Sequence, residues 1–268
     1  MIRKKILSCS IVLSVLLLGN LYSQSNTYSK KDPIKKVVLE RIKKERRAIA
    51  LSPERQKVAY YSSIRFANVP VPLNVPNVEA KFEKYLNRLT YRKVQSYDLH
   101  KKAAKHLPKI AAILRSYGIP EDFKYIPLIE SNMNPTVTSH KGAGGYWQFM
   151  PATARLYGLK VNEKVDERRD LTKSTDAAAR YIKSLYKEFG DWTLVAAAYN
   201  VGIGNLKASI RRQGTKNYYK LKLNQETGSY IYKLVSVKQV IENPNKHSFK
   251  RFAENRDKYQ YINESNLL

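Results

Sequence analysis

From residue 78 onward the apolar positions of this chain fall mainly at helical spacing. The stretch 78–118 is helical in pattern, with one break expected near Tyr97 and another at Pro108. Ile110, Ile113, Leu114 and Tyr117 recur three and four apart, and Gly118 with Pro120 ends that helix. Glu121 and Asp122 favour the start of the next helix, which closes in the apolar run IPLIESNMNP. Glu130 is the single acid of that run; Ser131 and Asn132 break it, and Pro135 makes helix beyond it unfavourable. Helix is expected again from Gln148, with Pro151 tolerated in its first turn and Gly158 near its end. An amphipathic helix follows over 175–189, with Ala178, Tyr181, Ile182, Leu185, Tyr186 and Phe189 on one face and Gly190 as its stop. Asp191 can cap a short helix that is apolar almost all round, and therefore buried, with Tyr199 and Asn200 at its end. The polar, basic stretch 207–228 reads as loop or short helices. A last helix is expected over 230–241, ended by Asn243-Pro244-Asn245.

The N-terminal part follows different patterns. Arg3, Lys4 and Lys5 precede an apolar run of 14 residues, Ile6 to Gly19. That is short of the ~20 residues needed to span a bilayer, so residues 1–23 read as a secretory signal, cleaved after Ser23, rather than an anchor. Cys9 is the only cysteine and most of the apolar run follows it, which argues against a lipoprotein site. A chain that loses this segment has no thiol, which excludes disulfides and cysteine chemistry. Residues 34–50 fit a basic helix, either solvated or lying on a membrane surface. Residues 67–77, ANVPVPLNVPN, read as an extended linker or a strap over the domain surface.

Charge divides the chain in the same way. The net +27 over 268 residues is concentrated outside the centre: residues 24–115 carry +15, residues 116–200 only +1, and residues 201–268 carry +8. Basic flanks around a nearly neutral centre would attract an anionic polymer or a membrane surface. They would equally serve as solvated faces of a high-pI secreted protein. Nucleic acid is not expected, given the export signal and the lack of a recognised module.

Candidate chemistry collects between Glu130 and Asn200. A carboxyl packed against Ile126, Leu128 and Ile129 at a helix C-terminus is disfavoured in its charged form by desolvation and by the helix dipole. It therefore suits a general acid. Gly142, Gly144 and Gly145 allow positive φ or close approach of backbone to a ligand, but no Gly-Lys-Ser/Thr ending marks a phosphate cradle. The DERRD stretch at 166–170 reads as salt-bridged loop ahead of a second catalytic carboxylate. The four histidines, His100, His106, His140 and His247, form no metal-ligand spacing, and Ser139 lacks a nucleophile-elbow context. No metal and no cofactor are expected.

The ordered motifs ES at 130–131, GAGGYWQFMP, TARLYGL, DERRD, STDAAARYI, FGDW and AAAYNVGIG resemble the lytic murein transglycosylases, in particular the soluble-lytic-transglycosylase-like domain of the membrane-bound transglycosylase D type. The resemblance covers residues 95–245 and implies an all-α, lysozyme-like catalytic domain behind a basic, partly helical N-terminal extension. The domains expected are a signal at 1–23, extension and linker at 24–94, the catalytic domain at 95–245 and a polar tail at 246–268. The implied activity is non-hydrolytic cleavage of the bond between N-acetylmuramic acid and N-acetylglucosamine, giving 1,6-anhydro products, with Glu130 as sole acid and base. Gln148, Tyr199 and Asn200 are expected at the substrate, Tyr199 as a hydrogen-bond partner of Glu130, with Ser131, Ser139, Gly145, Met150, Tyr230 and Lys233 as further contacts. The resemblance also implies an exported, monomeric protein of the periplasm or cell envelope, acting on glycan strands. A lysozyme-like hydrolase on the same fold, and a non-catalytic peptidoglycan-binding protein, are the alternatives.

Overall fold

A computed structural model describes residues 37–42, 53–89 and 96–247. The chain divides into two compact units, residues 1–58 and 59–268. In the first, residues 37–42 are helical and largely exposed, within the basic helix expected at 34–50. The signal segment, Cys9 and the tail beyond His247 lie outside the described residues.

The remaining elements bear out the all-α expectation. They are α1 (Pro53–Ser63), a hairpin of β1 (Arg65–Phe66) and β2 (Val69–Pro70), α2 (Pro76–Leu89), α3 (Ser96–Ser116), α4 (Ile126–Ser131), α5 (Pro151–Leu156), α6 (Leu171–Phe189), α7 (Trp192–Val201), α8 (Ile203–Gln213) and α9 (Tyr230–Glu242). Short 3-10 turns stand at Glu121–Tyr125, Glu167–Arg169, Thr227–Ser229 and Pro244–His247. In the hairpin Phe66 faces Val69, and Ala67 and Asn68 both take positive φ, as a two-residue turn of primed type requires.

Capping explains the ends of the central helices. Asp170 accepts from the Lys173 amide at 2.8 Å, so α6 starts four residues ahead of the expected 175. Gly190 ends it in the left-handed conformation. Asp191 then caps α7 as expected, accepting from the amides of Thr193 at 2.8 Å and Leu194 at 3.0 Å. Residues Leu194 to Ala198 of α7 are fully buried. The most enclosed element is α9, which packs against α2, α4 and α7.

The helix break expected at Pro108 is corrected. Pro108 does not break α3, because the buried stripe Leu99, Ala103, Leu107, Ile110 and Leu114 continues across it. Burying two large aliphatic side chains contributes about 3–6 kcal/mol, which offsets the ~3 kcal/mol cost of an interior proline. At 67–77 the segment lies over the surface as a strap, anchored by the buried Ala67, Val71 and Leu73 while 68–70 and 74–77 stay exposed, and it leads into Val78, Phe82 and Leu86 on the inner face of α2. The boundary expected at residue 95 therefore falls inside the second unit.

The glycine-rich loop before α5 is built around one cation. The buried Arg168 pairs with Asp166 through Nε and Nη2, both at 2.8 Å, and its Nη1 donates to the carbonyls of Gly142 at 2.8 Å and Phe149 at 2.9 Å. This pairing holds the Asp166 carboxyl below the usual range. A Cβ at Gly144 would press on the guanidinium, and one at Gly145, where φ is +73°, would run into the Arg168 carbonyl. The two glycines thus let the loop approach Arg168 rather than a ligand. Helix begins at Pro151, not Gln148, whose φ of 49° no helix admits. Arg168→Met leaves two carbonyls without their side-chain donor and removes the bidentate guanidinium partner of Asp166, and is expected to cost about 3–5 kcal/mol in urea unfolding. A loss below about 1 kcal/mol would place this pair with ordinary surface ion pairs.

Candidate active site

The segment that carries Glu130 is one and a half turns of helix. Pro127 opens α4 in a position where its missing N–H costs nothing, and Asn132 and Met133 end it with φ of 51° and 57°. Met133 is buried and its amide returns to the Pro127 carbonyl at 3.1 Å, so the turn is fastened at both ends. Ser131 adds bonds from its hydroxyl to the carbonyls of Pro127 at 3.0 Å and Tyr146 at 2.9 Å. Its side chain ties α4 to the glycine-rich loop.

Glu130 is partly buried and accepts a hydrogen bond of 2.5 Å from the Tyr230 hydroxyl at the start of α9. Its pKa is raised, first by burial of the carboxyl and further by the negative charge of Glu226. The Tyr230 hydrogen bond and the positive Lys233 act the other way without overcoming burial. Burial also pushes the Tyr230 phenol well above its ordinary pKa, so it stays a donor. A carboxyl in this setting keeps its proton to a higher pH than an exposed one and can give it up and take it back, with a fixed donor to its conjugate base.

Tyr199 has another partner than expected. Its hydroxyl donates to the Trp147 carbonyl at 2.7 Å, and its ring meets Tyr181 with centroids 5.4 Å apart. Burial raises its pKa and the Glu130 charge adds to that rise, so Tyr199 lies within electrostatic reach of the acid. Trp147 is anchored in turn by its indole N–H on Thr175 Oγ1 at 3.0 Å. Tyr199 therefore fixes the loop beside the acid, while Tyr230, expected as a substrate contact, holds the carboxyl.

The other expected residues divide into two groups. Asn200 at the end of α7 donates to Glu226 at 2.8 Å and accepts from the Thr227 hydroxyl at 2.7 Å, forming a polar patch whose Glu226 is exposed. Gln148 uses its amide within the loop, donating to the carbonyls of Gly145 at 2.9 Å and Val137 at 3.1 Å. Ser139 accepts from the Ala143 amide at 3.0 Å, and Met150 is 42% exposed just ahead of α5. Glu226 was not singled out by sequence reasoning. The available signal was its isolation, since it is the sole acid between Asp191 and Glu242. Among the described residues no group of three or more His, Cys, Asp or Glu side chains is gathered for a metal ion.

Comparison with known proteins bears on this arrangement. The transglycosylase SLT domain family matches residues 109–222. Membrane-bound lytic murein transglycosylase D of Escherichia coli (strain K12) is 34% identical over 170 residues, which are 62% of this chain and 37% of that protein. The chain thus spans just over a third of that relative's length. A protein of Alteromonas sp. (strain M-1) named for tributyltin chloride resistance is 31% identical over 164 residues, 60% of this chain and 76% of that one. Among solved structures, the 70 kDa soluble lytic transglycosylase SLT70 of Escherichia coli aligns at 21% identity and a TM-score of 0.41, over 49% of this chain and 24% of the other.

Two of the three influences on Glu130 other than burial, those of Tyr230 and Glu226, can be separated by NMR titration of its carboxyl carbon. Tyr230→Phe removes a donor that favours the carboxylate, so the pKa of Glu130 is expected to rise further. Glu226→Gln removes a like charge, so it is expected to fall. A titration unmoved by both substitutions would leave burial and Lys233 in control.

Proposed function

We propose, from the premise that this chain belongs to the transglycosylase SLT domain family, that it cleaves murein as a lytic transglycosylase with Glu130 as its acid and base. The observation that carries the reading is a half-buried carboxyl of raised pKa, held by a phenol that remains a donor. Neutral Glu130 protonates the oxygen linking N-acetylmuramic acid to N-acetylglucosamine, and the C–O bond breaks as the muramic N-acetyl carbonyl stabilises the developing cation. The ionised Glu130 then takes the proton of the muramic 6-hydroxyl as that oxygen bonds to C1. The product is a 1,6-anhydro sugar, no water is consumed, and the carboxyl ends as it began. Tyr230 stays on the carboxyl through both proton transfers. Asn200 and Glu226, joined at the exposed edge of the site, are placed to receive sugar hydroxyl or N-acetyl groups.

A second reading has one observation in its favour. Glu226 is a second carboxylate close enough to act on the charge of Glu130, and a pair of carboxyls is what a hydrolase uses to place a water. The two readings differ in their products and in what Glu226 contributes.

Export through residues 1–23 and action in the cell envelope belong to the same proposal, as does attraction of the basic flanks to anionic wall or membrane surfaces. Retention on purified sacculi should then weaken as salt rises; retention indifferent to salt would remove the flanks from wall binding.

Mass spectrometry of muropeptides released from sacculi decides the chemistry. Anhydro-ended products are expected, and Glu130→Gln is expected to lower their release by at least about 100-fold. Activity should fall as pH rises through the raised pKa of Glu130, because the first step needs the neutral acid. Hydrated reducing ends, abolished by Glu226→Gln, would establish the hydrolase instead. Binding without release by the unaltered protein would leave a wall-binding module.

A further inference from the structure

A cavity of about 440 Å³ lies between α3, the 3-10 turn Glu121–Tyr125 and the end of α9. Neither Glu130 nor Tyr230 lines it. Its floor is apolar, made by the buried Ala103, Leu107 and Ala111 of α3 with Ile241. Ala104 and Pro108, both exposed, stand on α3 at its edge and give it a polar feature. A helix carbonyl ordinarily accepts from the amide four residues on, and for Ala104 that residue is Pro108, which has no N–H. The rim carries charges of both signs. Arg115 and Lys124 share the carboxylate of Glu121, at 2.5 and 3.3 Å. Glu242 accepts from the Tyr125 hydroxyl at 2.7 Å, and among the described residues no cation lies within ion-pair distance of it.

An apolar floor, a backbone acceptor without its helical donor and a rim of mixed charge are what a short stretch of polypeptide can satisfy together. A volume of this order takes a few residues of chain. One such stretch starts from the cavity's own wall. Pro244 is part of that wall, and His247, three residues on, is buried and bonded through Nε2 to the Tyr60 hydroxyl at 3.0 Å. The sequence then continues SFKRFAENRDK. Phe249 and Phe252 follow Pro244 by five and eight residues, a reach of at most about 18 and 29 Å, so a chain that turns back after His247 brings both rings to the floor. Lys250, Arg251 and Glu254 beside them carry the same mixture of charge as the rim. We propose that residues 248–258 dock in this cavity, with Phe249 and Phe252 on its floor, a backbone N–H on the Ala104 carbonyl and a cation at Glu242. The proline inside α3 thereby serves to leave an acceptor open. Tyr125 and Glu242 both line the cavity, so the docked segment shields from water a hydrogen bond that fastens α9 to the stretch leading into Glu130.

The test uses the full chain and needs no turnover. Phe249→Ser combined with Phe252→Ser releases the segment and is expected to lower Tm by about 5–10 °C. A synthetic peptide of residues 248–258 is then expected to bind this double variant at least about tenfold more tightly than the unaltered chain, whose own segment fills the site. Ala104→Trp, added to the double variant at an exposed helix position, covers the cavity and is expected to abolish peptide binding. Pro108→Ala gives the Ala104 carbonyl its helical donor, so in the same background Tm is expected to rise while the peptide binds about fivefold more weakly. Equal Kd for the double variant and the unaltered chain, binding that survives Ala104→Trp, or no binding up to millimolar peptide overturns the proposal. An unaltered chain that sediments as a dimer, and as a monomer with Ala104→Trp, would give the cavity to a second copy and overturn it as well.

Discussion

The hydrogen bond from Tyr230 to Glu130 spans a hundred residues of chain, and most of the second unit can be understood as what keeps its two ends in place. Tyr230 sits at the first position of α9, and that helix is stitched to the segment 122–130 at two further points. Lys238 reaches Asp122 at 2.7 Å, and Glu242 accepts from the Tyr125 hydroxyl at 2.7 Å. From its first residue to its last, α9 is thus fastened to that segment at three points. A slip of either would carry the phenol off the acid. Asp122 also accepts from the Ala67 amide at 2.7 Å, which ties the hairpin and the strap before α2 into the same clamp.

The acid gains its character from what surrounds it rather than from a dedicated charged partner. Burial is the largest influence on Glu130, and the ionic contributions nearby, Glu226 on one side and Lys233 on the other, oppose each other. The strong ion pairs are placed elsewhere: Arg168 with Asp166 shapes the glycine-rich loop, and Lys238 with Asp122 fastens α9. A cation paired tightly with Glu130 would have held it ionised and ended its use as an acid. Separating structural charge from the acid is thus a condition of the chemistry.

Much of this was legible in the sequence because it depends on local rules. The cap at Asp191, the stops at Gly190 and Gly118, the all-round apolar α7 and the acid closing an apolar run each follow from neighbouring residues. The misreadings share the opposite cause. Nothing near Pro108 shows that a stripe on both sides of it will hold α3 continuous. Nothing near Gly145 shows that its missing Cβ makes room for Arg168, more than twenty residues later. Tyr199 and Tyr230 both end beside Glu130, and only the packing of α7 and α9 decides which hydroxyl meets the carboxyl and which meets the Trp147 carbonyl. Glu226 was passed over because an acid in a polar loop ordinarily faces solvent, as this one does. Its importance arises from Asn200, which holds it at the edge of the site.

Lys233 belongs to two neighbourhoods at once. It stands at the rim of an aliphatic cavity between α2, α3, α4 and α9, and its charge lowers the pKa of Glu130. An anion that met Lys233 would offset that charge, and the acid would then hold its proton to a higher pH. Linkage makes the effect reciprocal: ionised Glu130 repels an anion at Lys233, and neutral Glu130 does not. An anion there would therefore favour the neutral form of the acid. An uncharged ligand in the same cavity would leave Lys233 to keep drawing the proton away. The placement of one lysine, a turn of helix beyond the tyrosine that holds the acid, ties the charge at the cavity rim to the proton on Glu130.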